Sequence, residues 1–176
     1  MDCVDRGLPL SFDVVLIGIL SDTHDRSDAC AAALRVLREA GADVYIHCGD
    51  VGSEAVLDQL AGLKSVLVWG NNDYDIGTLT RYAEEIGIQV LGNSGRIKLA
   101  GKDFLIAHGD RAIPINDAME NQDCDYILHG HTHVRRDEHV GKTHIINPGA
   151  LHRASRKSVA TLEPETGALR FAFVDI

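Results

Sequence analysis

Apolar residues fall along this chain in two rhythms. Residues 14–20 form a near-continuous apolar run of strand length, and behind it Cys30, Ala33, Leu34 and Leu37 recur at helical spacing. The pattern predicts a strand and then a helix over 28–40, which Ser27 or Asp28 can cap and Gly41 ends. The alternation continues with "DVYIHC" and a helix from about Ser53, whose Val56, Leu57 and Leu60 face inward before Gly62 stops it. A third run, "SVLVW", follows. A β-α-β-α-β order of this kind makes a parallel sheet with crossover helices.

Beyond Ile88 the rhythm changes. "IQVLGN", "GRIKLA" and "KDFLIAH" follow one another across Gly-containing turns, and a short helix near 115–121 precedes "DYILH", "EHVGKTHIIN" and two C-terminal strands. The second half is therefore largely β. No linker, low-complexity stretch or fixed-period repeat divides the chain, which predicts one layered α/β domain over 13–176. Residues 1–12, acidic and broken by Pro9, are expected to form a flexible tail.

Composition narrows what such a domain does. With 45% hydrophobic residues among 176, there is enough to bury one real core. The formal net charge of −9 argues against binding nucleic acid or an anionic membrane surface, and an anionic substrate would need a local positive charge. The apolar run at 14–20 is too short to span a bilayer. Cys3, Cys30, Cys48 and Cys124 show neither a thiolate zinc spacing nor a disulfide framework, and suit a reducing, cytoplasmic setting.

Five of the apolar runs end in polar residues of one chemical kind. "VLIGIL" ends in Ser21-Asp22-Thr23-His24, "VYIHC" in Gly49-Asp50, and "VLVW" in Gly70-Asn71-Asn72-Asp73. "FLIA" ends in His108-Gly109, and "YIL" in His129-Gly130-His131-Thr132-His133. In α/β sheets the C-terminal strand edge is where loops converge to bind ligands, so the clustering is spatial. Asp22 and His24, like His131 and His133, are two apart, and in extended chain each pair points one way to grip one centre. Imidazoles, carboxylates and an amide oxygen without thiolate match divalent Mn, Fe, Co, Ni or Zn better than Ca or Mg. Seven such ligands are too many for one ion but suit two that share a bridge, and a carboxylate such as Asp50 can reach both.

The ordered set D-x-H, G-D, G-N-x-D, H-G and G-H-x-H resembles the calcineurin-like metallophosphoesterases, in particular their small single-domain bacterial and archaeal phosphodiesterases, over 14–155. Each motif alone is common; five in order at strand ends carry the resemblance. It implies a four-layer α-β-β-α sandwich of two mixed sheets flanked by helices. It also implies that Asp22, His24 and His133 hold one metal, Asn71, His108 and His131 a second, and that Asp50 bridges. The cofactor would be two divalent ions, manganese foremost, with iron, nickel, cobalt or zinc as alternatives. Two such ions, two aspartates and a bridging hydroxide leave a formal charge of +1, the local positive charge an anionic phosphoester needs. Metal binding lowers the pKa of water from about 15.7 to roughly 7, so that hydroxide can attack a phosphoester without a protein nucleophile. The chain is thus expected to be a metal-dependent phosphodiesterase acting on a small phosphoester, with a homo-oligomer left open. The alternative is a protein-binding scaffold with little catalysis, as in the retromer subunit of this fold; the complete ligand set favours the enzyme. The Asn147-Pro148-Gly149 run resembles a family loop that closes the site from below.

Ordinary readings stand beside these. Asp22 and Asp50 can serve as helix N-caps, and His47 reads as a hydrogen-bonded strand residue. His129 reads as packing, and His139 and His144 as hairpin residues, although the resemblance puts His144 near the substrate side. His152 and Arg153 read as a solvated turn that can also reach a phosphate; Trp69 as core; Tyr74 as a loop residue able to stack on an aryl group. Two departures from the family pattern carry consequences. Asn72 stands where most relatives have the histidine that contacts phosphate and protonates the leaving group. An amide donates a hydrogen bond but no proton, so good leaving groups are expected to be favoured by the typical contribution of about 10²–10⁴-fold. Asp110, where many relatives have a second histidine, is expected to disfavour dianionic monoesters. Asp73 is expected to accept a bond that orients a neighbour, and Gly70 to let its strand end bend.

Overall fold

A computed structural model describes residues 15–176 of the chain. The tail expected over 1–12, with Cys3, lies outside the described residues. The elements run β1 (Ile17–Leu20), α1 (Ser27–Glu39), β2 (Val44–His47), α2 (Glu54–Leu60), β3 (Ser65–Leu67), α3 (Ile76–Glu85) and β4 (Gln89–Val90). They continue with β5 (Ser94–Leu99), β6 (Lys102–Ala107), α4 (Ala112–Asn121), β7 (Tyr126–Leu128), β8 (Arg136–Val140), β9 (Thr143–Asn147), β10 (Ser158–Glu163) and β11 (Ala168–Phe173).

Two mixed sheets result, one in the order β11-β10-β1-β2-β3-β4 and the other β5-β6-β7-β9-β8. β1 to β4 pair in parallel, as the crossover helices require, while β10 closes antiparallel on β1. The C-terminal strands therefore complete the sheet that the N-terminal strands begin.

Three apolar layers hold the sandwich together. Ile17, Ile19, Ile46 and Val66 of the first sheet meet Phe104, Ile106, Leu128 and Ile146 of the second, and Phe104 stacks on Tyr126 with ring centroids 4.7 Å apart. Outside the first sheet, Leu34 and Leu37 of α1, Leu57 and Leu60 of α2 and Leu79 and Ala83 of α3 pack on Leu20, Tyr45 and Leu67. Outside the second, Ile115 and Ala118 of α4 cover Leu105, Ile127 and Ile145. The layers are α-β-β-α, as the resemblance implies.

Local details differ from the pattern. Ser27 and Asp28 lie inside α1, whose N-cap is Arg26 and carries no side-chain cap bond. Asp28 instead receives two bonds from the Arg26 guanidinium, 3.0 and 2.8 Å long, and places its charge at the positive helix end. Neither Asp22 nor Asp50 caps a helix, since the N-caps of α1 and α2 are Arg26 and Ser53. α3 is an element the apolar pattern does not announce. No described helix is long and apolar enough to cross a membrane.

Candidate metal centre and active site

The loops that leave β1 and β2 continue each other's hydrogen bonding past the strand ends. Asp22 N–H donates to Gly49 O at 3.0 Å, His24 N–H to Asp50 O at 2.9 Å and Asp25 N–H to Val51 O at 3.0 Å. Asp22, His24 and Asp50 satisfy this ladder only with φ of 58°, 45° and 55°, and His131 and His133 likewise take 68° and 58°. Left-handed backbone is uncommon for such residues and is held here by the surrounding bonds. It also corrects the extended-chain argument: neither D-x-H nor H-x-H is a strand alternation, and His131 and His133 turn to different neighbours.

Below the ladder, Gly49 N–H donates to His47 Nδ1 at 3.2 Å, so Nε2 carries the proton and donates to Thr23 Oγ1 at 3.0 Å. The Thr23 hydroxyl in turn donates to Val51 O at 2.9 Å. Burial pushes His47 down to about 3, which keeps it neutral and fits the strand-residue reading. Thr23 is a residue the motif reading passed over, because only the fold brings His47 to it.

Five of the seven expected ligands meet around two carboxylates. Asp22 Oδ1 lies 3.1 Å from His133 Nε2, 3.9 Å from His24 Nε2 and 4.0 Å from His108 Nε2. Asp50 Oδ2 lies 3.4 Å from His24 Nε2 and 3.3 Å from His108 Nε2, and the Nε2 atoms of His24 and His133 are 3.4 Å apart. Two ligand atoms about 2.1 Å from one ion stand roughly 3–3.5 Å from each other, so the four spacings of 3.1–3.4 Å fit metal coordination and the two of 3.9 and 4.0 Å are wider. The His131 ring lies 5.1 Å from that of His108, and its backbone N–H donates to Asp22 Oδ2 at 3.2 Å. Asn71 is exposed in the loop after β3 and bonds none of the others.

Electrostatics keep these donors ready. Burial opposes the charge of Asp50, but the facing His108 imidazole and the bonds from the backbone and side chain of Asn72 outweigh it and hold the carboxyl well below its usual range. Burial likewise opposes protonation of His108, yet Asp50 pulls its pKa up; His24, with burial dominant, is pushed down and stays neutral. Asn72 donates its backbone N–H to Asp50 Oδ1 and its Nδ2–H to Oδ2, both at 2.8 Å. Asp73 is buried and accepts from Gly52 N at 2.8 Å and Gly70 N at 2.7 Å, fastening the Asp50 loop to the Asn71 loop. Burial raises its pKa. Gly70 does not bend the strand through an unusual φ. A side chain there would put Cβ 2.1 Å from Asp50 Oδ1 and 2.6 Å from the Asp50 backbone nitrogen, so the position is closed to any larger residue by the carboxylate and its backbone together.

The outer contacts sort the remaining residues. Asn147 Nδ2 donates to Gly130 O at 2.8 Å and its Oδ1 accepts from Gly149 N at 2.9 Å, bracing the histidine loop from beneath. His129 Nδ1 donates to Gly130 O at 3.1 Å, and burial lowers its pKa to about 4. The His152 ring lies 5.2 Å from that of His24, bringing the loop after Gly149 to the rim. Trp69 is fully buried with its Nε1–H on Thr80 Oγ1 at 2.9 Å, while Tyr74 is exposed. Asp110 lies 3.8 Å from the Arg111 guanidinium, which offsets its charge. His144 lies on β9 at the strand end opposite Asn147, away from the donor cluster.

A cation suits this arrangement on its own terms. Asp22 Oδ1 and His108 Nε2 are buried without a hydrogen-bond partner, although buried polar atoms nearly always have one. His108 Nδ1 is already committed to Cys48 O at 2.8 Å, which leaves Nε2 to face the carboxylates.

Known proteins share this build. The family model for the calcineurin-like phosphoesterase superfamily domain matches residues 15–167. A phosphodiesterase of Methanocaldococcus jannaschii is 29% identical over 76% of this chain and 82% of its own length. A probable metallophosphoesterase of the same organism is 32% identical over 86% of this chain and 77% of its own. The solved structure of an archaeal phosphodiesterase superposes with a TM-score of 0.84 at 25% identity, covering 91% of this chain and 100% of that one.

Proposed function

The chain belongs to the calcineurin-like phosphoesterase superfamily and is a hydrolase acting on phosphoester bonds, and we propose that it is a phosphodiesterase working with two divalent ions. Asp22, His24 and His133 would hold one ion, Asn71, His108 and His131 the other, with Asp50 reaching both. Manganese is the first choice and iron, nickel, cobalt or zinc suit the same donors. The observation that carries the reading is the pair of buried, unpartnered acceptors Asp22 Oδ1 and His108 Nε2 beside the ionised Asp50. When bound, such a pair of ions lowers the pKa of water to roughly 7 and polarises phosphoryl oxygens.

The chain's own residues supply position. Asp73 and Asn72 fix the loop of Asp50, and Asn147 fixes the loop of His131 and His133. At the rim, His152, with the charges of Arg26 and Arg153 close enough to depress its pKa after burial, offers donors to an anionic phosphate. The Asn72 amide is proposed to contact a phosphoryl oxygen with the Nδ2–H that here holds Asp50, and it cannot protonate a leaving group. Hydrolysis of bis(p-nitrophenyl) phosphate by metal-loaded wild type and Asp50→Asn tests the reading. A loss of about 10²–10³-fold is expected, the scale of removing one preorganised charge, with wild-type rates falling steeply from nitrophenyl to alkyl esters. Full activity in Asp50→Asn would refute it.

A further inference from the structure

A second group of metal-binding side chains lies at the other end of the second sheet. β8 and β9 form an antiparallel hairpin in which His139 stands directly opposite His144 and Asp137 opposite Ile146. Residues two apart on a strand share a face, as do residues directly opposite, so Asp137, His139 and His144 all project from one side. One donor atom from each lies within 4.8 Å of the other two. Nε2 of His144 is 2.8 Å from Asp137 Oδ1, and the two imidazoles stack with centroids 4.0 Å apart and planes 23° from parallel.

The three residues are unequally anchored. His144 is 4% exposed at the margin of the inter-sheet core, its ring 5.9 Å from that of Tyr126, and its backbone N–H donates to Asp125 O at 2.8 Å. Asp137 and His139 are exposed. The tight turn at Gly141 and Lys142 fixes the register that sets His139 on His144. A rigid buried imidazole with two adaptable ligands beside it forms a site that needs little rearrangement.

We infer that Asp137, His139 and His144 form an auxiliary site for one borderline divalent ion such as zinc, separate from the phosphoesterase centre. Two imidazoles and one carboxylate without thiolate favour zinc, nickel, cobalt or copper over magnesium and calcium. Because the site presents three protein ligands on an open strand edge, water completes the coordination.

The test counts zinc on the full-length chain, stripped of metal and dialysed to equilibrium against Zn²⁺ at pH 7.5. Wild type is expected to hold one zinc per chain more than His139→Ala, and bis(p-nitrophenyl) phosphate hydrolysis is expected to be unchanged by that substitution. Asp137→Asn, which keeps the shape and removes the charge, is expected to weaken the extra site at least tenfold. In an Asp22→Asn, His108→Asn background one zinc should persist and disappear on adding His139→Ala, which separates this site from the phosphoesterase reading. Equal zinc content in wild type and His139→Ala, or an extra zinc that survives both hairpin substitutions, would overturn the inference.

Discussion

The inter-sheet core and the candidate metal centre occupy the same strands a few residues apart, and the backbone behaves oppositely in them. Ile17, Ile19, Ile46, Phe104, Ile106 and Leu128 lie in regular strands with no exposure. Just past the ends of those strands, Asp22, His24, Asp50, His131 and His133 account for five of the ten described non-glycine residues with positive φ. Such backbone costs about 1 kcal/mol or more per residue, and the centre adds buried acceptors without partners. The contrast teaches that the loops do not hold themselves. The packed strands beneath, and bonds such as His24 N–H to Asp50 O, impose a conformation that the loop sequence alone resists.

Substitutions on either side should separate the two regions. Phe104→Ala in the core should have the largest effect, about 3–5 kcal/mol of stability by denaturant unfolding, with activity per folded molecule preserved. An activity loss beyond the loss of folded protein would erase the distinction. Gly70→Ala should do the reverse. Its Cβ would meet Asp50 Oδ1 at 2.1 Å and the Asp50 backbone nitrogen at 2.6 Å and displace the carboxylate with its loop, costing about 10²-fold in kcat/KM. A midpoint of unfolding that falls as far as in Phe104→Ala would show that Gly70 serves the fold instead.

The smallest effect belongs to the seam between the regions. His47 ends β2, is fully buried, and is pushed down to about 3, whereas an unfolded histidine titrates near 6.5. A depressed folded pKa means that the neutral ring's contribution is complete above pH 6.5 and is lost as the pH falls toward 3. Between pH 7.5 and 5.5, wild type should lose about 1 kcal/mol more stability than His47→Gln in urea unfolding. Parallel pH profiles for the two proteins would move the seam's titration to another group.

Much of this division is legible in the sequence. The apolar runs mark the strands, and the polar residues that end them supply the donors that the fold gathers. The backbone that presents those donors is not legible, because the left-handed turns at Asp22 and His24 depend on carbonyls of Gly49 and Asp50 in another loop. α3 is hidden for a different reason. Gly77, Thr78 and Thr80 are weak helix formers, and the helix rests instead on Leu79 and Ala83 packing against the first sheet. His152 reaches His24 only because β10 returns to pair with β1, a contact that no local spacing encodes.

The two sheets share the proposed ligands: Asp22, His24, Asp50 and Asn71 follow strands of one, and His108, His131 and His133 follow strands of the other. A chain leaving the ribosome has therefore made four of its seven ligands before the second sheet exists, and the first sheet itself waits for β10 and β11. On the proposed assignment an ion is captured only after both sheets have docked, and it then acts as a rivet across them. Nascent and truncated chains would compete poorly for scarce metal at this centre, so its occupancy in a preparation would record how many molecules had finished assembling.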